Sequence, residues 1–374
     1  MLKSVYLLTL LMLLASCGKD LEENMSNNLL SGSFSMKNCF VMKPDFTFNY
    51  QNLSGYSKSL VEGNVYLTSL SSESIYTFEA ETGLLVNKMN IEKEGPLAVG
   101  PTSSFDGVFY ISQDSILYSS NIQNKIFLLT SRSVETIVDF SGVNNVRLAS
   151  AFRNPPVEGK NHILFPVYPN RKEDIGKGFA FVAINKSLES FDQVISFTPA
   201  YEGKFFGTTP YFYWPSVAFN SKTDSYVASF PVSHSVFEYD SDFKLLNTHE
   251  TYQDLIGPIS EFPYARDPEG NPSREDDGVY FRETSYFGNI YYLPKSDTYF
   301  RFGILNKSED DESELCAFIC NHDFSRSKTL KLSSDYIEGG TFALSESMFL
   351  LNEARLVSEK TVELPYDCLT FEAE

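Results

Sequence analysis

Several features that would point to a catalytic or nucleic-acid-binding protein are missing from this sequence. It holds one Trp and four His in 374 residues, and its 30 Lys and Arg are outnumbered by 49 Asp and Glu. The formal net charge of −19 disfavours binding to an anionic nucleic acid. No Gly-x-Ser-x-Gly elbow, His-Glu-x-x-His motif or phosphate-binding glycine loop occurs. We therefore predict no nucleic-acid partner, no cofactor and no recognisable catalytic residue.

Metal-binding patterns are missing too. No Cys-x-x-Cys pair or Cys/His cluster with zinc spacing is present. The acidic stretches 275–277 and 310–312 lack the alternating ligand spacing of a calcium loop, so both are predicted to be solvated loops. We expect no metal site.

Only five cysteines occur, and their spacing limits the disulfides. Cys316 and Cys320 lie four residues apart in an apolar strand, roughly 13 Å at the usual rise per residue, which is too far to bridge. Cys39 and Cys368 lie near the two ends of the fold, and a bridge between them requires that those ends pair in one sheet. Buried free thiols are the interpretation that we favour for this pair.

No apolar run is long enough to span a membrane, which takes roughly 20 residues. The longest, Val5–Ala15, follows a positively charged start. Its last two residues begin the segment Leu14-Ala15-Ser16-Cys17, which matches the bacterial lipobox. This order predicts a signal peptide over residues 1–16 and lipid attachment at Cys17, which would anchor the chain to a membrane. Residues 17–33 are then a lipidated cysteine and a flexible tether. We expect an outer-membrane lipoprotein at the cell surface or on the periplasmic face.

Aromatic residues are abundant, with 32 Phe and 22 Tyr, and these favour strands. Apolar alternation is interrupted by Asp, Asn, Ser and Gly every ten residues or so, as at Asp106-Gly107, which is a short hairpin signal. Pairs of such hairpins start near positions 60, 104, 148, 216, 280 and 341. Repeats of this length with four strands each predict an all-β, six-bladed β-propeller over residues 34–374, in a single domain. Seven blades and a pair of β-sandwiches are the alternatives.

The signal peptide, the degenerate aromatic repeats and the segments Tyr211–Asn220 and Ser229–Asp240 together resemble one group of proteins. It comprises Bacteroidetes lipoproteins of domain-of-unknown-function family 4221. The resemblance covers most of the chain after the signal peptide and implies a six-bladed TolB-like propeller. It implies no activity and no catalytic residues.

Two sets of residues are candidates for ligand binding. The first is an aromatic loop, which includes Tyr211, Tyr213 and Trp214, where exposed rings would stack on a sugar or an apolar ligand and buried rings would only stabilise the fold. The second set consists of polar residues that would either contact a ligand or serve structural roles. Arg153 and Arg282 lie on predicted innermost strands, where they would line a central channel, Arg301 alternates with aromatic residues, and His234 lies on a predicted strand. We favour the structural interpretation for both sets.

Three functions fit these observations. The first is a non-enzymatic binding or scaffold module for a glycan, a peptide or a partner protein. The second is a carbohydrate-active hydrolase or lyase on the same fold, which requires polar groups that converge in space. The third is a structural subunit of an envelope complex, which predicts a large exposed apolar patch.

Overall fold

The computed structural model describes residues 30, 32–44, 55–71, 73–103, 105–142, 146–149, 154–169, 178–251, 255–267, 270–306, 313–333, 336–352 and 363–373. The predicted signal peptide, Cys17, most of the tether, Arg153 and the acidic stretch 310–312 lie outside these residues.

The described chain is built from six antiparallel units. Five of them have four strands and unit 3 has five, and most strands pair with the next one along the sequence. Unit 1 consists of β2 (Ser57–Val61), β3 (Asn64–Ser71), β4 (Ser74–Glu79) and β5 (Leu85–Asn90). Unit 2 consists of β6 (Gly107–Ser112), β7 (Ser115–Ser120), β8 (Lys125–Thr130) and β9 (Val134–Asp139). Unit 3 consists of β10 (Val146–Leu148) and β11 (Val157–Glu158), which both pair with β12 (His162–Pro169), then β13 (Phe179–Asn185) and β14 (Phe191–Ser196).

Unit 4 consists of β15 (Ser216–Asn220), β16 (Ser225–Ser229), β17 (Ser235–Tyr239) and β18 (Leu245–Glu250). Unit 5 consists of β19 (Tyr286–Leu293), β20 (Thr298–Leu305), β21 (Glu314–Asn321) and β22 (Ser327–Lys331). Unit 6 consists of β23 (Tyr336–Leu344), β24 (Ser347–Asn352), β25 (Leu364–Ala373) and the first strand of the chain, β1 (Gly32–Met42). The strand order in unit 6 is β1-β25-β24-β23, so this sheet joins the two ends of the fold.

The sequence predictions locate these units closely. The units begin at residues 57, 107, 146, 216, 286 and 336, against predicted starts near 60, 104, 148, 216, 280 and 341. Hydrophobic alternation carries this information because side chains on a strand face the two sides of the sheet in turn. The prediction of a hairpin turn at Asp106-Gly107 is wrong. Asp106 precedes β6 as a buried residue, and its carboxylate accepts hydrogen bonds from Ser103 N (2.6 Å) and Asn121 N (2.7 Å).

Turn chemistry fixes the hairpins. Asp240 Oδ1 accepts hydrogen bonds from the backbone amides of Asp242 (2.9 Å) and Lys244 (2.8 Å), which closes the turn between β17 and β18. Glu62 and Gly63 both take a positive φ in the two-residue turn between β2 and β3. Glycine adopts that conformation without steric cost, which suits the hairpin.

The hydrophobic core lies between consecutive units. One cluster joins units 1 and 2 through Ile75, Tyr110 and Tyr118, and another joins units 2 and 3 through Leu117 and Phe165. A third joins units 6 and 1. This packing of successive antiparallel units makes the fold propeller-like.

Two features differ from the predictions. The segment Arg274–Glu283 is an α-helix, α1, whose N-cap Ser273 accepts a hydrogen bond from Asp276 N (3.0 Å). The prediction that Arg282 lies on an innermost strand is therefore wrong. The second feature is a disulfide between Cys39 on β1 and Cys368 on β25, so the favoured interpretation of two free thiols is wrong. Cys316 and Cys320 are buried free thiols on β21.

Candidate functional site

One strand from each of five units borders a cavity of about 760 Å³. These strands are β11 of unit 3 and the first strands of units 1, 4, 5 and 6, which are β2, β15, β19 and β23. Units 1 and 3 meet here directly, through a parallel bridge between Lys58 and Val157. One end of the cavity lies among the turns that follow these strands, where Gly159, Ser221, Pro294 and Ser345 contribute to its wall.

The cavity wall is largely apolar. Its apolar members come from all five strands or the segments beside them, and include Tyr56, Val65, Val157, Val217, Ile290 and Phe342. Leu60, on β2, keeps 60% of its surface exposed beside the cavity. A concave apolar site with a few polar groups is the usual form of a small-molecule pocket.

Of the four lysines that line the cavity, Lys58 is the one without a carboxylate at ion-pair distance among the described residues. It lies on β2, and its exposed side chain borders the cavity. In the described part of the chain, no carboxylate lies within 4 Å of its Nζ atom, which donates only a long hydrogen bond to Ala343 O (3.5 Å). Desolvation by the surrounding protein lowers the pKa of Lys58, and the charge of Glu158 partly offsets that effect.

Glu158 is held in place from two sides. Its Oε1 atom accepts a hydrogen bond from Lys186 Nζ (2.5 Å), and its Oε2 atom accepts one from Leu60 N (2.7 Å). Lys186 comes from the turn between β13 and β14, and Leu60 from β2. The carboxylate therefore connects units 1 and 3 beside Lys58.

Two further lysines line the same end of the cavity and are also paired. Lys160 Nζ contacts Asp224 Oδ2 at 2.7 Å, and Lys222 Nζ contacts Asp297 Oδ2 at 3.5 Å. Four lysines thus line one cavity in a chain with a net charge of −19. Three of them have a carboxylate partner, so the local excess of positive charge lies at Lys58.

Arg301, a predicted candidate, is a fully buried residue of β20 rather than part of the cavity wall. Its guanidinium donates hydrogen bonds to neutral oxygens of unit 4 and the segment after it: Ser229 Oγ (2.8 Å), His234 O (2.9 Å), Thr251 Oγ1 (3.0 Å), Phe230 O (3.2 Å) and Ser233 O (2.5 Å). Its five N–H donors are all matched by these five acceptors. Burial lowers the pKa of Arg301 to about 9, so the side chain remains charged near neutral pH.

The remaining contact of Arg301 is aromatic. Its Cζ atom lies 3.6 Å from the centroid of the Phe287 ring on β19, in a cation–π arrangement. The ring contact lies within unit 5, and the hydrogen bonds of Arg301 connect that unit to the turn between β16 and β17. The geometry gives Arg301 a structural role, with neutral acceptors in place of the carboxylates of a salt bridge.

His234 belongs to the same region. Its carbonyl oxygen accepts from Arg301, its Nε2 atom lies 3.2 Å from Gly257 O, and its ring packs edge-to-face on Phe287. Burial lowers the pKa of His234. The residue lies outside the cavity wall.

The aromatic loop folds onto the protein. Tyr213 is 5% and Trp214 is 4% exposed, and Tyr213 Oη accepts a hydrogen bond from Phe206 N (2.8 Å) and donates one to Gly207 O (3.0 Å). Tyr211 packs edge-to-face on Trp214 with 4.9 Å between ring centroids. These rings fill space between the loop, α1 and the sheets, and they do not line the cavity.

The remaining candidates lie elsewhere. Arg282 is an exposed residue in the last turn of α1. The acidic residues 275–277 form the first turn of that helix, where its dipole favours negative charge. Across the described ranges, no three His, Cys, Asp or Glu residues are grouped so that they could hold a metal ion. Of the helices described, none is both long and apolar enough to cross a membrane.

Sequence reasoning missed the cavity residues. Lys58, Glu158 and Lys186 lie in three separate segments, and each resembles a solvated charge when read alone. One available signal was the alternation in β2, where Lys58 and Leu60 share one side of the strand and the buried Ser57 and Ser59 share the other.

The comparisons with known proteins agree with this architecture. The model of a family described as "Domain of unknown function (DUF4221)" matches residues 28–322. The chain belongs to this family. The resemblance predicted from the sequence is thereby confirmed.

Solved structures extend the likeness. A DUF4221 member from Bacteroides vulgatus is 14% identical, covers 92% of this chain and 100% of its own, and superposes with a TM-score of 0.69. A Bacteroides fragilis protein, named as a candidate exported protein, is 11% identical, covers 91% of this chain and 95% of its own, and has a TM-score of 0.50. Both likenesses show the fold alone. No functionally curated protein matches the chain.

Proposed function

We propose that this chain is a non-enzymatic binding module of the cell envelope, whose ligand site is the cavity bordered by strands of five units. The six units are then six blades of one propeller around a central channel. Support for this blade count comes from the packing of consecutive units and from unit 6, which combines β1 with the last three strands.

One observation carries the binding role. The cavity has a volume of about 760 Å³, within the range of small-molecule sites, and it is lined by strands from five units. A site of this kind is shaped by the whole fold rather than by one loop. It would therefore hold a ligand without a large rearrangement.

Paired carboxylates favour binding over glycoside cleavage. A glycosidase needs one carboxyl group that donates a proton to the leaving oxygen. Glu158 and Asp224 are the carboxylates of the cavity wall, and each contacts a lysine ammonium. Neither is placed as a free proton donor.

The binding proposal is tested by thermal unfolding of the Cys17→Ala full chain, which removes the predicted lipid, against glycans, peptides and calcium. A ligand that binds only the folded state stabilises it by about 2.7 kcal/mol at a hundred times its dissociation constant. We expect one ligand class to raise Tm. Recovery of a cleaved glycan would overturn the non-enzymatic assignment.

A matched pair of variants tests the location of the site. Leu60→Trp adds bulk beside the cavity, whereas Leu245→Trp adds the same bulk on the outer strand β18, where Leu245 is 55% exposed. We expect the first variant alone to abolish the shift in Tm. Equal shifts in both variants would contradict a site in the channel.

The envelope assignment rests on the sequence of residues 1–17. We expect the wild-type chain to fractionate with membranes and to incorporate labelled fatty acid, and the Cys17→Ala variant to do neither. Labelling that persists in the variant would contradict lipid attachment at Cys17.

A further inference from the structure

We infer that the channel recognises a ligand that carries one negative charge on an apolar body, with Lys58 as the residue that binds the charge. This inference rests on the proposed function and adds the ligand's chemical class.

The number of charges follows from the ion pairs of the cavity. Lys160, Lys186 and Lys222 have carboxylate partners in Asp224, Glu158 and Asp297. Among the described residues, Lys58 Nζ donates to the carbonyl oxygen of Ala343, at 3.5 Å, and no carboxylate lies within 4 Å of it. The ammonium is open to the cavity, so a single anionic group there would pair with it through a charge-assisted hydrogen bond.

The single unpaired positive charge also indicates which kind of anionic group the cavity would accept. A phosphomonoester carries between one and two negative charges near neutral pH, because its second pKa is about 6. Such a group would leave excess negative charge in the cavity. A carboxylate carries one charge and forms a charge-assisted hydrogen bond with an ammonium group.

The wall defines the rest of the ligand. Val65, Val157 and Leu344 are half-buried and present apolar surface on several sides of the cavity that Lys58 borders. Burial of an apolar body there is favourable at about 25 cal/mol per Å². A ligand with one carboxylate and an otherwise apolar skeleton matches both the charge and the wall.

Glu158 lies beside Lys58, but its carboxylate is bound by Lys186 and Leu60 instead. Its two oxygens are held by Lys186 Nζ and Leu60 N, so the carboxylate remains fixed beside the cavity. Its charge raises the pKa of Lys58 against the effect of burial and so favours the protonated form. Glu158 is therefore a positioning residue, and Lys58 is the group that would touch the ligand.

The test uses the Cys17→Ala full chain and three fluorescent probes of similar size: 1-pyrenebutyrate, the neutral 1-pyrenebutanol and a cationic pyrenebutylamine. We expect the carboxylate to bind at least about tenfold more tightly than the alcohol, which corresponds to about 1.4 kcal/mol. The amine is expected to bind more weakly than both.

Variants assign the effect to Lys58. In Lys58→Met, the affinity for the carboxylate should fall about tenfold to that of the alcohol, while the affinity for the alcohol stays the same. Lys58→Arg should restore the preference for the carboxylate. Lys244→Met, which removes a paired lysine beside β18 and outside the cavity wall, should change it less than threefold.

The outcomes separate the inference from the proposed function. Equal binding of all three probes to wild type, blocked by Leu60→Trp, would overturn the inference and leave the channel as a binding site. Binding that Leu60→Trp leaves intact would contradict both. A carboxylate preference that persists in Lys58→Met would overturn the role of Lys58.

Discussion

Arg301 and Lys58 are both cations without a carboxylate partner among the described residues, but their surroundings differ. Arg301 is 2% exposed, uses all five of its donors on fixed neutral oxygens and stacks on Phe287. Lys58 has an exposed side chain that borders the cavity, and it donates one long hydrogen bond. A cation whose donors are all used holds structural elements together, whereas a cation with unused donors is available to a ligand. Burial and hydrogen bonding therefore both mark Arg301 as a structural group and Lys58 as a candidate binding group.

The largest expected effect comes from Arg301→Met. Loss of the guanidinium leaves five buried oxygens without their donor, so we expect a loss of at least about 3 kcal/mol in the free energy of unfolding. Arg301→Lys should recover only part of it, because an ammonium has three donors and no planar face. Urea denaturation measures both.

Arg282→Met is the control for this change, because Arg282 is exposed on α1. We expect it to cost less than about 1 kcal/mol. Similar losses for the two arginines would remove the structural assignment of Arg301.

The next effect concerns the aromatic side of the Arg301 site. Phe287→Leu removes the ring below the guanidinium, and Phe318→Leu removes a neighbouring ring that is equally buried. Both substitutions remove similar packing, so the difference between them reports the cation–π contact, which we expect to be about 1–2 kcal/mol. Equal losses would indicate that the stacking adds nothing to the hydrogen bonds.

Lys58→Met should barely change stability, because the Lys58 side chain is exposed beside the cavity. Replacement of a poorly partnered charge by an apolar side chain of similar length is commonly neutral or stabilising. We expect a change of less than about 1 kcal/mol by urea denaturation at pH 7. A loss as large as that of Arg301→Met would show that Lys58 is structural.

The smallest effect is a dependence on pH. The pKa of Lys58 is lowered in the folded state, so between that pKa and the usual value of 10.5 the unfolded chain binds more protons than the folded chain. Stability contributed by this group therefore rises with pH across that window. The stability of wild type relative to Lys58→Met should increase between pH 7 and pH 10, and a constant difference would show that Lys58 does not titrate differently on unfolding.

The sequence predicted the strands well because their side-chain alternation is local. It failed at α1, where Val279–Glu283 resembles a strand when read alone, although Ser273 and the acids after it form a helix start. The aromatic loop was correctly favoured as space-filling, since Gly and Pro allow it to fold back onto the sheets.

The candidate binding site was less accessible to sequence reasoning. Arg301 attracted attention because it alternates with aromatic residues, but that pattern describes the second strand of a unit, where both faces are buried. Lys58, Glu158 and Lys186 meet only because units 1 and 3 are bridged at Val157. Such a contact depends on the closure of the whole fold, and no local pattern encodes it.

The pairing of β1 with β25 has a consequence for how the chain is made. Residues 32–42 are synthesised early, yet their partners, residues 364–373, lie at the far end of the fold and are synthesised much later. Until then β1 presents an unpaired edge, which is a hazard for association with other chains. The sheet of unit 6, whose strand β23 borders the cavity, can therefore be completed only after residue 373 has been synthesised.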